Sequence, residues 1–260
     1  MKQGSDEWLL WRKKGLGSSD AAVIMGVSPY LTPYQLWLEK TGEAENNQDN
    51  DATWMGQVLE PEARDWYNLM HDHQMEPALF VHVNTEYLKA SVDGHNSVIR
   101  KVLEIKYVGK QYFNEMKSGK GDIKDHHYAQ MQHQLLVTGY DSVDYLVYNP
   151  ECEGKGHVIN VKRYEPYIKD LKRKLEDWWD KHIIGKKAPA LTDKDTVEVT
   201  DRSQVSRFQE LRRAKEEMDK WTKDYNMLKD QCILEMTHPN ITCDGVSVKK
   251  GKRGVIFRFN

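Results

Sequence analysis

Cysteine, long apolar runs and an excess of one charge sign are all missing or scarce in this chain of 260 residues. The three cysteines, Cys152, Cys232 and Cys243, lie far apart and never form a C-x-x-C pair, which argues against a disulfide framework or a structural zinc site. No apolar run of about 18 residues occurs, and residues 1–15 lack the apolar segment of a secretion signal. We therefore expect an intracellular, cytoplasmic protein with no membrane partner.

The balance of charge excludes a uniformly basic surface. Lysine and arginine total 38 and aspartate and glutamate total 40, so the net charge is -2. Tight sequence-independent binding of nucleic acid over the whole surface would need a basic excess, so any such site must be a focused groove. A hydrophobic content of 39 % in a chain of this length is enough for a full core, and it predicts one large domain with an appendage.

Apolar periodicity predicts an α/β fold with a central mixed β-sheet flanked by helices, because helices, then a run of strands, precede another helix and further strands. The predicted elements are helices within 6–26 and at 33–41 and 52–72, strands at LFVHV, LKASVD and 98–108, a lysine-bearing loop at 109–125, a helix at 125–138, strands at SVDYLVYN and HVINVKRY, and a helix at 165–184. Trp8, Leu9 and Trp11 are expected to pack inward.

A boundary interrupts this pattern at GKKAPALTDKDT, residues 185–196, where glycine, proline and charge replace periodicity. We place the domains at 1–190 and 191–260. Asp201 with Gln204 resembles a capping box for a helix of about 30 residues, about 45 Å long. Its apolar residues follow near-heptad spacing: Leu211, Met218, Trp221, Tyr225, Leu228 and Cys232. The last segment alternates around a basic turn and predicts a β-hairpin. We hypothesise that this extension mediates subunit or partner contacts.

The segment SVDGHNSVIRKVLEIKY, residues 91–107, carries the most informative pattern. Side chains alternate along a strand, so Glu104 and Lys106 share one face while Leu103 and Ile105 point into the core. If the chain folds back after Asp93, that carboxylate joins them. The turn-prone residues lie close to Asp93 and away from the midpoint, so we expect a bulge or an asymmetric loop between the two strands.

The spacing D-x10-E-x-K suits phosphodiester hydrolysis. Two carboxylates can hold a divalent cation that polarises a phosphate, and a lysine can position water or offset developing negative charge. An isolated E-x-K is also typical of a solvated salt bridge, so the pattern alone has low specificity. Other residues in a consistent order strengthen it: Glu60 on an upstream helix, Gln130 and Gln134 one turn apart, and Arg12 with Ser19 as a phosphate-binding pair.

Five blocks in order carry a resemblance to a known family: WLLWRKKGLGSSDAAVIMGVSPYLTPYQLW, MGQVLEPEARDWY, ASVDG, LEIKY and YAQMQHQLLVTG. Together they span about residues 8–140. The chain resembles the YqaJ-type viral recombinases, relatives of phage lambda exonuclease within the PD-(D/E)XK nuclease superfamily. This resemblance implies a restriction-endonuclease-like PD-(D/E)XK core over 1–190. Where the family often has S-P-D-G and E-[IL]-K-C-P, this chain has SVDG and EIKYV, and neither lost residue carries the chemistry.

The resemblance also implies roles for single residues. Asp93 and Glu104 would bind catalytic Mg²⁺, for which Mn²⁺ can substitute, with the Ile105 carbonyl as a further ligand. Lys106 would assist the nucleophilic water. Glu60 would lie near the metal, although Glu62 competes for that role, and Gln130 would match a catalytic glutamine. The implied contacts to DNA or its 5′-phosphate are Arg12, Ser19, Ser91 and Gln134.

The activity implied by the resemblance is 5′ to 3′ resection of double-stranded DNA ends, which leaves a 3′ single strand for an annealing protein. Ring-shaped homo-oligomers also occur in the family. An endonuclease or nickase acting through the same site, and a catalytically silent DNA-binding assembly module, remain alternatives. The lysines at 110, 117, 120 and 124 form either a DNA-facing loop or a solvated face, and Tyr112 and Phe113 among them either stack on bases or pack in the core.

Overall fold

A computed structural model describes residues 4–44, 51–196, 201–251 and 254–259. The chain divides into two compact units, Met1–Asp195 and Thr196–Asn260. The predicted domains at 1–190 and 191–260 differ from these units by a few residues, and their independence as folding domains stays a prediction. Within the described residues, no helix is both long and apolar enough to cross a bilayer.

The first unit is built on a five-stranded mixed sheet, which confirms the predicted fold class. The strands are β1 (Glu76–His82), β2 (Thr85–Asn96), β3 (Lys101–Tyr107), β4 (Ser142–Tyr148) and β5 (Gly156–Lys162), and they lie side by side in that order. Only β3 and β4 are parallel; the other neighbours are antiparallel. A parallel connection needs a long crossover, and the helices between β3 and β4 provide it.

Helices cover both faces of this sheet. They are α1 (Asp6–Lys13), α2 (Ser18–Ile24), α3 (Pro33–Thr41), α4 (Asp51–His71), α5 (Lys110–Lys117), α6 (Asp125–Thr138) and α7 (Glu165–Trp178), with a π-helical segment at Trp179–Ile184. One core cluster joins α2, α6 and α7 to Val102, Val143 and Tyr145. The other joins Ala63 and Tyr67 of α4 to Leu103, Ile105 and Leu146 on the opposite face.

This two-sided burial corrects the prediction that only the face of β3 with Leu103 and Ile105 points into the core. Alternation holds, since Leu103 and Ile105 face α4, but Glu104 on the other face is only 1 % exposed. The sheet needs helices on both faces because β3 and β4 are central, parallel strands.

Three other local predictions were wrong. The β2–β3 hairpin pairs Gly94 with Leu103 and Asn96 with Lys101 without a register shift, so no bulge separates Asp93 from Glu104. Residues 109–125 are not all loop, because α5 forms there. In α1 no residue is buried, and Leu9 is 42 % exposed, so its apolar residues do not all pack inward.

The second unit contains α8 (Arg202–Leu234), a helix of 33 residues. The Asp201 side chain caps it by accepting hydrogen bonds from the backbone N–H groups of Ser203 and Gln204. The strands β6 (Asn240–Cys243), β7 (Val246–Gly251) and β8 (Gly254–Phe259) form an antiparallel sheet in that order. The predicted hairpin is therefore present as β7–β8, and β6 is a third strand that the alternation pattern did not separate from it.

Candidate active site

Asp93 lies where the strands β2 and β3 stop pairing. The last paired residues are Gly94 and Leu103, and beyond them the Asp93 carboxylate accepts a hydrogen bond from the Ile105 backbone N–H at 2.7 Å. The Asp93 carboxylate thus accepts a hydrogen bond that a backbone carbonyl of β2 would accept if the two strands continued to pair. This bond fixes the Asp93 carboxylate beside the segment of β3 that carries Glu104 and Lys106.

Glu104 is a buried carboxylate held by three donors. Its Oε1 atom lies 2.5 Å from Lys106 Nζ and accepts a hydrogen bond from Gln130 Nε2 at 2.7 Å. Its Oε2 atom accepts from Gln134 Nε2 at 2.5 Å. Because an unpaired buried charge costs several kcal/mol, such a set of donors is what keeps a carboxylate inside a protein. The two glutamines reach Glu104 together because they are one turn apart on α6.

Glu60 is the α4 carboxylate that faces this centre. Arg64, one turn further along, donates to Glu60 Oε1 at 2.7 Å and to the Asp93 backbone carbonyl at 2.6 Å, both through Nη1. Glu62 instead accepts a hydrogen bond from the Tyr148 hydroxyl at 2.8 Å. The geometry therefore favours Glu60 over Glu62 at the site. Arg64 was not among the predicted site residues, although its i,i+4 spacing from Glu60 was a signal.

The charges of the site act on one another strongly. Burial, together with the neighbouring charges of Glu104 and Glu60, raises the pKa of Asp93 well above its ordinary value. Burial lowers the pKa of Lys106, but the carboxylates of Glu104 and Asp93 outweigh it and the net shift is upward. Lys106 is therefore an ammonium ion at neutral pH. It can stabilise negative charge or orient water, and it is a poor general base.

The donor set fits a small hard cation. Three carboxylates, Asp93, Glu104 and Glu60, face two cationic side chains, Lys106 and Arg64. When all five are ionised, negative charge is therefore in excess, and the raised pKa of Asp93 reflects that excess. Among the described residues, no group of three or more His, Cys, Asp or Glu side chains lies close enough together to hold a metal ion by itself. Mg²⁺ does not need one, since it is usually held by one or two carboxylates together with water and phosphate oxygens. The residues therefore suit magnesium better than zinc.

The predicted phosphate-binding residues form a second group next to this centre. Arg12 Nη2 donates to Ser19 Oγ at 2.9 Å, and the Trp8 indole N–H donates to Ser91 Oγ at 2.9 Å. The Arg12 guanidinium lies over the Trp8 ring, 4.8 Å from its centroid. Trp8, which was not predicted to have a role here, thus joins the two halves of the group. Ser91 is two residues before Asp93 on β2, so both side chains leave the strand on the same face.

Below Arg12, a buried ion pair fixes the start of α2. Asp20 is 4 % exposed, lies 2.5 Å from Lys40 Nζ and accepts a hydrogen bond from the Gly17 backbone N–H at 2.7 Å. Lys40 Nζ also donates to the Arg12 carbonyl at 3.2 Å. Although burial opposes it, the charges of Lys40 and Arg12 bring the pKa of Asp20 below its ordinary value. These contacts tie α1, α2 and α3 together beneath the Arg12 side chain.

Gln134 is placed differently from its prediction, and Phe113 takes one of its two predicted alternatives. Gln134 is fully buried beneath Glu104, so it positions that carboxylate and does not present itself to DNA. Phe113 is 1 % exposed and belongs to the core, so it does not stack on bases.

Lys110 pairs with Glu151 at 3.0 Å and Lys117 donates to the Glu153 carbonyl at 2.9 Å. A DNA-facing role for these lysines stays a prediction.

The histidines of α6 do not gather as a zinc site. His127 Nδ1 lies 2.8 Å from the Tyr145 hydroxyl, and His133 Nδ1 lies 3.2 Å from Ser18 Oγ. Both are held by hydroxyl groups on different elements. Burial lowers the pKa of both, that of His133 to about 4.

Comparison with known proteins adds the family and the fold. Residues 7–141 match the model of the YqaJ-like viral recombinase domain. The uncharacterized protein YqaJ of Bacillus subtilis is 28 % identical over 199 residues, which are 74 % of this chain and 61 % of that protein. An uncharacterized protein of Acanthamoeba polyphaga mimivirus is 27 % identical over 181 residues, 65 % of this chain and 32 % of that protein. This chain therefore spans less than two thirds of either relative.

Solved structures share the architecture. An alkaline exonuclease from Laribacter hongkongensis superposes with a TM-score of 0.60 at 20 % identity, covering 70 % of this chain and 94 % of that one. A phage-related exonuclease from Haemophilus somnus 129PT gives a TM-score of 0.52 at 14 % identity, covering 66 % of this chain and 96 % of that one. At these identities the likeness establishes the fold.

Proposed function

Because the chain belongs to the YqaJ-like viral recombinase family, we propose that it is a magnesium-dependent exonuclease that digests double-stranded DNA from 5′ ends and leaves 3′ single-stranded tails. The observation that carries the proposal is the convergence of Asp93, Glu104 and Lys106 at the point where β2 and β3 stop pairing. The exonuclease fold of the solved neighbours supports it.

Asp93, Glu104 and the Ile105 carbonyl would hold the metal ion, with Glu60 close by. Bound there, Mg²⁺ supplies a Lewis acid for the scissile phosphate and lowers the pKa of a bound water. The protein's own part is orientation. Gln130 and Gln134 fix the Glu104 carboxylate, and the Ile105 backbone N–H fixes that of Asp93. Preformed positions of this kind avoid the cost of reorganisation during the reaction.

Lys106 supplies the remaining charge. As a protonated ammonium beside Glu104, it can donate to the attacking water or to a phosphate oxygen, where it offsets the negative charge that develops at phosphorus. Its tie to Glu104 limits its movement, so the ammonium stays beside the reacting phosphate.

Arg12, Ser19 and Ser91 would receive a 5′-phosphate. An arginine fork binds phosphate oxygens bidentately, and serine hydroxyls can donate to the same anion. Since Ser91 and Asp93 lie two residues apart on β2, a phosphate held at the first would place the chain end close to the second. This arrangement would give digestion its 5′ to 3′ direction, and the exposed 3′ strand would suit an annealing protein.

The decisive experiment uses linear duplex DNA labelled at either end, with 5′-phosphate or 5′-hydroxyl termini, in the presence of Mg²⁺ or Mn²⁺. We expect loss of the 5′ label first, faster digestion of phosphorylated ends, and no reaction in chelator. Closed circular DNA in the same buffer is the control, and its cleavage would establish an endonuclease instead. Retention of DNA without turnover in either metal would favour a silent binding module.

A further inference from the structure

The long helix α8 exposes a continuous apolar seam. A strict heptad over this helix places Leu211, Met218, Tyr225 and Cys232 at position a, and Ala214, Trp221 and Leu228 at position d. Leu211 is 65 % exposed and Trp221 is 73 % exposed, and α8 buries none of its residues. A helix of this composition gains little from its surface ion pairs alone, so a covering partner for the seam is expected.

The small sheet of the second unit covers only the later part of the seam. The Phe259 ring lies 6.3 Å from that of Tyr225, and Lys229 Nζ lies 5.5 Å from the centroid of Phe257. Tyr225 still keeps 45 % of its surface exposed. Leu211, Met218, Trp221 and Leu228 each stay more than half exposed, so the seam is largely open over a length of about 26 Å at 1.5 Å per residue.

The charges beside the seam specify the orientation of a partner. Position g is acidic in three successive heptads, with Glu210, Glu217 and Asp224, and position e carries Lys215, Thr222 and Lys229. In a parallel pair, each g residue meets the e residue five positions later on the other helix. Glu210 would then face Lys215, and Asp224 would face Lys229. An antiparallel pair would set acidic g positions against each other, which is unfavourable.

We propose that α8 forms a parallel, in-register coiled coil with α8 of a second copy of this chain. The seam is self-complementary: like apolar layers meet at a and d, and acidic g positions meet basic e positions. Trp221 would stack on its counterpart at the centre of the open seam, where aromatic side chains contribute most to an interface. The nuclease proposal plays no part in this inference, so either can fail alone.

Two equally exposed methionines of α8, one in the seam and one outside it, provide the first test. Met218 at position a and Met227 at position c are 55 % and 54 % exposed, so lysine at either site should be tolerated by the single chain. We expect light scattering of the full chain to give a mass of at least twice the 30.4 kDa of one copy. Met218→Lys should weaken association at least about tenfold, a change of about 1.4 kcal/mol, while Met227→Lys leaves it unchanged. A monomer at every concentration, or equal effects of both variants, would overturn the proposal.

Charge exchange and a native thiol test the orientation. Glu210→Lys and Lys215→Glu should each weaken self-association, and mixing the two variants should restore it, because both g–e′ pairs are then complementary. The thiol of Cys232, at position a, should form an intermolecular disulfide on mild oxidation of a chain carrying Cys152→Ser and Cys243→Ser. Without restoration on mixing, or with no Cys232 cross-link in a chain that does associate, the parallel in-register arrangement is wrong.

Discussion

The two units of this chain solve opposite problems. The first, Met1–Asp195, buries charged groups in a closed core, and the second, Thr196–Asn260, leaves apolar groups in water. Glu104 is 1 % exposed, whereas Trp221 is 73 % exposed. A buried surplus of negative charge calls for a cation, and an open apolar seam calls for another surface. In each unit, one group of residues that breaks the usual inside–outside rule lies where a ligand or partner is proposed.

The strongest test of this contrast neutralises one of the buried carboxylates of the candidate active site. Asp93→Asn should lower nuclease activity about a thousandfold or more, about 4 kcal/mol in barrier height, because a ligand of the proposed metal is lost. In metal-free buffer the same change should raise the midpoint of thermal unfolding, since the amide can still accept from Ile105 N–H without repelling Glu104. Rates and melting curves measure the two effects. Asp65→Asn, on the exposed face of α4, should alter neither.

Truncating one leucine in each unit compares their cores. Leu171→Ala, in α7, removes a side chain that is 0 % exposed and should lower the free energy of unfolding by about 3 kcal/mol. Leu234→Ala removes one that is 84 % exposed and should change it by less than about 0.5 kcal/mol. Hydrogen exchange resolved by segment reports each unit separately. Comparable losses in both units would mean that the end of α8 is packed against something.

Acid should weaken the first unit selectively. Burial lowers the pKa of His133 from 6.5 to about 4, so the unfolded chain takes up a proton first as the pH falls. Stability is then complete above about pH 6.5 and is lost between about pH 6.5 and 4, on the order of 3 kcal/mol from this group. His133→Gln should flatten that slope in unfolding measured against pH, and His238→Gln in the second unit should not.

The smallest effect concerns the proposed phosphate pocket. Arg12→Ala should lower the preference for 5′-phosphorylated over 5′-hydroxyl ends about tenfold, about 1.4 kcal/mol, because the bidentate fork is lost. Arg212→Ala removes an exposed arginine from α8 and should leave the preference intact. Paired digestions of both duplexes give the ratio. An unchanged ratio in Arg12→Ala would separate the polarity from this residue.

Periodicity identified most elements of the fold correctly. The helices at 33–41 and 125–138 have the predicted bounds, and the strand carrying Glu104 was recognised from its apolar neighbours. These signals are local: they depend on residues within a turn or two of one another, so a single sequence contains them. The prediction of a loop at 109–125 was wrong because the lysines and glycines of this segment obscure the apolar periodicity of α5, whose buried residues are Phe113 and Met116.

Within the candidate site, the relation between neighbouring residues could be predicted from the sequence, whereas contacts between distant segments could not. Alternation along a strand is enough to predict that Glu104 and Lys106 share one face, because the two residues are neighbours on the same pleat. Arg64, Trp8 and the hairpin turn midway between Asp93 and Glu104 were not foreseen. Trp8 contacts Ser91 across 83 residues of sequence, and no spacing rule links such positions.

The sequence by itself determined which residues are candidates for the chemistry and which helix carries the heptads, because both follow from the repeat of a strand or a helix. Only the tertiary structure decided that Glu104 is buried, that Gln134 lies beneath it, and that Asp93 bonds to the Ile105 backbone. Those facts depend on how α6 packs against the sheet and where β2 and β3 stop pairing. Packing of this kind sums many weak contacts between distant segments, and a local pattern contains no record of them.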